Sequence, residues 1–396
     1  MLFVLILGWA IIYADRTCLY PLLSVIGDEM SLSSAQTGAL TSAYFLFYVL
    51  MQIPSGIMGD RLGMRKVLMV MFSIAAFGML GLGVFGKTYI LLLIFASLHG
   101  LGAGGFYPAA YGTILQVTKP ERLGFSSGLL GVGMALGLLT GMVVSGPIYE
   151  AMGSFRAPFI VMSIPTFLII ILFYFKMPNV RGEGRPSLQQ YRKIIMDKDL
   201  WLINFATFTA IYGFWVAVTW GPTFLKVERG FSLLEAGLYT GLVAITAVPA
   251  GVFWGKLSDK VGRKKLAMIL LPCSALSLYM LTQVMSPAGI IIVFLFFGIT
   301  ANSAFAPVMV AWLGDLLNPR YPGYIGAVAG IHNCAIMTSA IVAPVLSGVL
   351  RDYTGSLTPA ISFGAFLMLI GTMVMSRIPE KKIGQTIAVT EEVETA

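Results

Sequence analysis

Charge is scarce in this chain. Asp, Glu, Lys and Arg make up 11% of 396 residues, against about 25% in ordinary soluble domains. With 57% hydrophobic residues and a mean hydropathy of +0.86, that scarcity excludes a soluble globular domain and reads as an integral membrane protein. Cysteine is nearly absent. Cys18, Cys273 and Cys334 all fall inside apolar runs, at spacings that match no metal motif, so they read as packing residues. There is no phosphate-cradling glycine loop, zinc-ligand pair, nucleophile elbow or intramembrane dyad of carboxylates. The expectation is therefore no enzyme, no cofactor and no metal, and any transport must run on gradients. The first apolar run has no basic lead and is interrupted by Asp15 and Arg16, so it does not read as a cleavable signal. It begins almost at the first residue, as it would if a native leader were missing.

What is present is a series of long apolar runs, twelve in all, each able to span a bilayer as a helix. They read as Leu2–Leu23, Gly38–Met58, Val67–Phe85, Tyr89–Leu115, Gly124–Ile148, Phe155–Phe175, Leu200–Leu225, Leu234–Phe253, Leu266–Val284, Ile290–Leu313, Ile325–Leu350 and Leu357–Met375. The predicted fold is all-α and integral to the membrane, with two pseudo-symmetric six-helix halves. The halves occupy 1–176 and 200–377; a polar cytoplasmic linker fills 177–199, and a charged tail, expected to be disordered, fills 378–396.

The halves are copies. GIMGDRLGMRK at Gly56–Lys66 returns as GKLSDKVGRKK at Gly255–Lys265, with Asp60 and Asp259, and Gly63 and Gly262, each 199 residues apart. A constant offset near half the length marks a tandem duplication, which places a central cleft where the halves meet. The net charge of +8 does not indicate a nucleic-acid partner, because Lys and Arg sit in the short connections. Twenty lie on the side of both basic turns and the linker and five on the other. That bias puts termini, linker and turns in the cytoplasm. Short outer loops without an Asn-x-Ser/Thr acceptor fit a prokaryotic inner membrane.

Within the runs charge nearly vanishes. Asp15 and Arg16 are the only acid and base well inside one. An intramembrane charge costs roughly 3 kcal/mol even on lenient scales, so it persists with a partner or a water-filled cavity. The matching positions in the second half hold Phe214 and Trp215. A structural pair inherited through duplication would have a counterpart there; a substrate site need not. Arg16 is expected to receive a carboxylate through its forked donors, and the desolvated Asp15 to carry the coupling proton. Adjacent helical residues point about 100° apart, so the two need not bond each other. The competing reading is an internal ion pair, or an Arg16 that reaches the interface. His99 is the only titratable residue in its helix and a second candidate for the proton. Polar and aromatic residues at helical spacing outline a cavity: Tyr13 and Tyr20 around Arg16, then Tyr44, Tyr48 and Gln52, with Asn204, Tyr212, Trp215, Asn302, His332 and Asn333 in the second half. Each stripe could equally serve interhelical hydrogen bonding.

Twelve spans with this turn after the second helix of each half resemble the major facilitator superfamily. The resemblance implies rocking halves, alternating access and a cytoplasmic latch at Asp60, Arg61, Gly63 and Arg65, repeated at Asp259, Gly262 and Arg263. Each latch Asp would face a helix N-terminus and a nearby arginine. The competing reading makes these charges topology signals only. YADRTCL, YFLFYVLMQIPSG at Tyr44–Gly56, AWLGDLLNP and GIHNCAIMTSAIVAP resemble the superfamily's anion:cation symporter branch. That branch carries sugar acids and other organic anions, mostly with protons. The resemblance makes Asp15 and Arg16 the proton and substrate site, with Tyr48 and Gln52 in the cavity. It departs from the pattern on the fourth helix, where Ala96 and Ala103 stand in place of an arginine and an acid. The expected function is a monomeric secondary transporter of a small organic anion, coupled to protons or to sodium. A proton-coupled drug exporter of the same fold and a transport-inactive membrane sensor are the alternatives.

Overall fold

The computed structural model describes residues 1–181, 188–321 and 325–379. Part of the predicted linker and the tail from 380 onward lie outside the described residues. Among the described residues no strand occurs, and twelve helices are long and apolar enough to cross a membrane. They are α1 (Leu2–Met30), α2 (Ser34–Leu62), α3 (Met64–Phe85), α4 (Tyr89–Ile114), α5 (Leu129–Met152), α6 (Arg156–Lys176), α7 (Lys198–Arg229), α8 (Leu233–Val261), α9 (Arg263–Gln283), α10 (Pro287–Leu317), α11 (Val328–Thr354) and α12 (Thr358–Met375). A short helix, Leu188–Ile195, precedes α7.

The duplication shows in how the helices start and stop. α2 opens on a capping box of Ser33 and Gln36, and α8 on one of Ser232 and Glu235, again 199 residues apart. Each of these helices ends at a glycine with φ +100°, Gly63 and Gly262. An L side chain rarely adopts that φ, and a Cβ on Gly63 would also strike the Asn179 side chain. Four helices are broken midway. α1 breaks at Cys18, where Pro21 has no amide to offer the Thr17 carbonyl. α4 breaks at Gly104–Gly105, just ahead of Pro108. α8 breaks at Leu242 and α10 at Ala301.

Within the first half α1 packs on α5, and α3 on α4 and α6; within the second, α7 packs on α11 and α12, and α8 on α10. The halves meet through α2 with α11, α5 with α8, and α1 with α7. At the face away from the basic turns they touch backbone to backbone. A Cβ on Gly38 would strike the Pro344 carbonyl, one on Gly348 the Ser34 carbonyl, and one on Gly237 the Met142 carbonyl. The Asp352 carboxylate accepts from the backbone N–H groups of Ser34 and Ala35 at 2.7 and 2.8 Å. An acid of α11 thus caps the N-terminus of α2, where the helix dipole favours negative charge.

At the basic face each turn grips the end of its own half. Arg65 reaches the Tyr174 carbonyl at 3.4 Å, and Lys264 those of Ser376 and Ile378 at 2.7 and 2.8 Å. These are cations at helix C-termini, the favourable end for them.

Candidate functional site

The break in α1 sets the site. Asp15 and Arg16 sit in the last turn before it, both buried in the middle of the bundle. No ion pair or hydrogen bond joins them to each other among the described residues. Arg16 leans toward the second half. Its Cζ lies 3.7 Å from the Tyr13 ring centre, 5.1 Å from Phe45, 5.2 Å from Trp215 and 5.8 Å from Tyr44. Phe45 and Trp215 touch across the halves with ring centres 4.5 Å apart. The guanidinium is therefore held by aromatic faces, a cation–π cage. Its Nε and Nη2, and the Trp215 Nε1, are buried donors without a partner among the described residues. A buried cation with open donors and no carboxylate beside it is costly unless an anion completes it.

Asp15 turns the other way. Its Oδ2 accepts from Thr166 Oγ1 of α6 at 2.5 Å, and its Oδ1 has no partner among the described residues. Asp15, Arg16, Tyr20, Thr41, Tyr44 and His99 line one small pocket inside the first half, with Ala96 on its wall. A methyl group thus stands where the branch resemblance leads one to expect an arginine. His99 Nδ1 lies 3.0 Å from the Ala75 carbonyl; a carbonyl only accepts, so Nδ1 carries the proton and Nε2 is the free acceptor in the neutral ring. That Nε2 has no partner among the described residues.

Tyr20, Tyr44 and Tyr48 stand within electrostatic reach of Arg16, and Tyr44 and Tyr48 stack at 6.1 Å. Gln52 Oε1 accepts from Asn333 Nδ2 at 2.7 Å, a side-chain bond between the halves. Tyr212 is not brought to Arg16: it packs inside the second half against Phe208 and Phe363. Asn302 opens the second segment of α10, and its side chain lies outside the described residues. His332 is held by Asn204 at 2.7 Å.

Sequence reasoning missed Thr166 and Phe45. A threonine or phenylalanine in an apolar run carries no signal of its own, although Phe45 adjoins the Tyr44 stripe. It also missed Trp9, Tyr107 and Tyr111, which cluster beside Tyr13 with Trp9 5.6 and 6.0 Å from the two tyrosines.

At the basic face, Arg263 pairs with Asp259 at 2.5 Å and with Asp315 of α10 at 3.2 Å. Asp60 and Arg61 form no ion pair among the described residues. Asp60 was expected to face a helix N-terminus and a nearby arginine; the side chains at 120–125 lie outside that set.

The family model for the Major Facilitator Superfamily matches residues 5–252 and again 203–392. The chain is similar to a "Probable sulfoacetate transporter" of Cupriavidus necator, 27% identical over 96% of each chain. It is also similar to a "Hexuronate transporter" of Bacillus subtilis, 25% identical over 96% of this chain and 94% of that one. Among solved structures, a bacterial homolog of the human lysosomal transporter Spinster, in an inward-facing and occupied conformation, superposes with a TM-score of 0.81. It is 16% identical and covers 94% of this chain and 95% of its own, a likeness of fold alone.

Proposed function

Because the chain belongs to the major facilitator superfamily, a family of membrane transporters and not of enzymes, we propose that it moves a small organic anion by proton symport. Arg16 carries this reading: a buried guanidinium with open donors, facing both halves, is a receptor for a carboxylate or similar group. The names of the sulfoacetate and hexuronate transporters point to the same class of substrate. Asp15 takes the coupling proton. It lies one residue away on the same small pocket but turns toward Thr166, away from the aromatic cage, so proton and anion occupy neighbouring seats without competing for one group.

In this mechanism Asp15 is protonated from the outer side and Arg16 binds the anion. The aromatic cage closes around the neutralised pair, and the halves rock about it. The positive-inside bias places the termini, the linker and both basic turns in the cytoplasm. The short, sparsely charged loops of the other face suit a prokaryotic inner membrane. The turns around Asp60 and Asp259 act as cytoplasmic latches that part when the inner side opens.

Purified protein in liposomes, with a pH dye trapped inside, tests the reading. Adding an accepted organic anion outside should acidify the lumen. Arg16→Ala should abolish that signal while the protein still inserts. Acidification that survives Arg16→Ala would remove Arg16 from the site.

A further inference from the structure

Resting on the anion-carrier reading, we propose that the substrate bears one anionic group on a flat aromatic body. The anion sits between Arg16 and the Trp215 indole N–H, and the ring lies in a box of Trp9, Tyr13, Tyr107 and Tyr111.

The single charge follows from the cations present. Arg16 is the one buried Lys or Arg among the described residues. A second anionic group in the same enclosure would be desolvated with no counter-charge, which a low-dielectric site penalises heavily. Nε and Nη2 of Arg16 and Nε1 of Trp215, 5.2 Å from the guanidinium to the indole ring, are three of the buried donors left open among the described residues. One carboxylate, with about four lone-pair sites, satisfies these three.

The aromatic body follows from the walls. The cage around Arg16 continues along α1 and α4 as further rings: Tyr13 against Trp9 at 6.2 Å, Trp9 edge-on to Tyr107 and Tyr111, and Tyr107 to Tyr111 at 4.4 Å. Tyr48 of α2 stands within electrostatic reach of Tyr13, Tyr107 and Tyr111. Tyr13, Tyr107 and Tyr111 are only partly buried, unlike the sealed aromatic core of the bundle. Flat rings stack or meet edge to face on such walls. Against the faces of these rings a sugar hydroxyl taken from water finds no partner, whereas a flat aromatic ring needs none.

Competition against labelled benzoate, in counterflow with the full-length protein in liposomes, tests this. Benzoate should be accepted at least 10-fold better than glucuronate, sulfoacetate or terephthalate, a flat acid with two charges. Trp215→Phe keeps a ring and removes the N–H, and should weaken benzoate about 10-fold. Trp9→Leu should narrow the preference for benzoate over cyclohexanecarboxylate by about 3-fold to 10-fold. Arg16-dependent counterflow that favours glucuronate, sulfoacetate or terephthalate over benzoate overturns this inference and leaves the anion carrier standing. An unchanged benzoate preference in Trp9→Leu also overturns it. If no organic acid of the panel moves, both readings fall together.

Discussion

Gly63 shows what a single residue fixes in this fold. Its φ of +100° recurs at Gly262, so the doubled motif records a backbone requirement as well as a charge pattern. Gly63→Ala should lower stability by about 1–3 kcal/mol, the cost to an L residue of a positive-φ region that glycine alone enters readily, and more if the Asn179 side chain cannot move aside. Thermal unfolding in detergent reads this directly. At the site, Asp15→Asn should leave anion exchange intact and sever uptake from the pH gradient. Coupling that survives the change would pass the proton's seat to His99, the imidazole that lines the same pocket. Asp15 and Arg16 were legible in the sequence because a charge inside an apolar run demands a reason. Thr166 was not, since the carboxylate it serves is 151 residues away in the chain and a threonine in a helix usually bonds its own backbone.

Two contacts between elements lend themselves to measurement. Asp352 of α11 caps α2 across the halves, on the face opposite the basic turns. Losing such a cap costs about 0.5–2 kcal/mol, and here the loss falls on one conformation of the pair. Asp352→Ala should therefore raise the reactivity of a reporter cysteine placed at Ser42, one turn inward from Gly38, by about 2-fold to 30-fold. Labelling with a thiol reagent from the outer side, with the native cysteines replaced, checks it. On the basic face, Asp197 caps α7 and binds Arg320 at 3.1 Å. Burial pushes its carboxyl upward, but hydrogen bonds from Arg320, the Leu200 amide and Tyr321 outweigh that and hold it below the ordinary carboxylate value. With the folded value below the unfolded one, the stabilisation is present above a pH of about 4 and is lost as pH falls through the folded value. Arg320→Gln should cost less than about 1 kcal/mol at pH 7, because the pair is partly exposed. Melts repeated at acidic pH should show the difference from wild type closing. Helix order and the two basic turns could be read from hydropathy and repeat spacing. The breaks could be read only in part: Pro21 and the Gly104–Gly105 pair mark two of them, whereas Leu242 and Ala301 carry no local sign.

Across the whole molecule, Arg16 and Trp215 are repeat mates, 199 residues apart, and they face each other at 5.2 Å. Equivalent positions of two copies become neighbours only near the axis that relates them, so the duplication itself locates the centre of the carrier. That inference was open to the sequence; the aromatic cage was open to it in part, with Tyr13, Tyr44 and Trp215 legible as cavity residues and Phe45 and the closure of the rings on Arg16 not, because the cage is assembled from helices far apart in the chain. The separation of Asp15 from Arg16 has a consequence for membrane voltage. With Asp15 ionised and Arg16 vacant, the two side chains sum to zero. With Asp15 protonated and a singly charged anion on Arg16, the occupied site sums to zero again. A one-to-one cycle is then electroneutral, and a potassium diffusion potential of about 100 mV, worth about 2.3 kcal/mol per charge crossing the bilayer, should leave the initial uptake rate unchanged. A doubly charged passenger would give the loaded carrier a net negative charge, and an inside-negative potential would slow its entry.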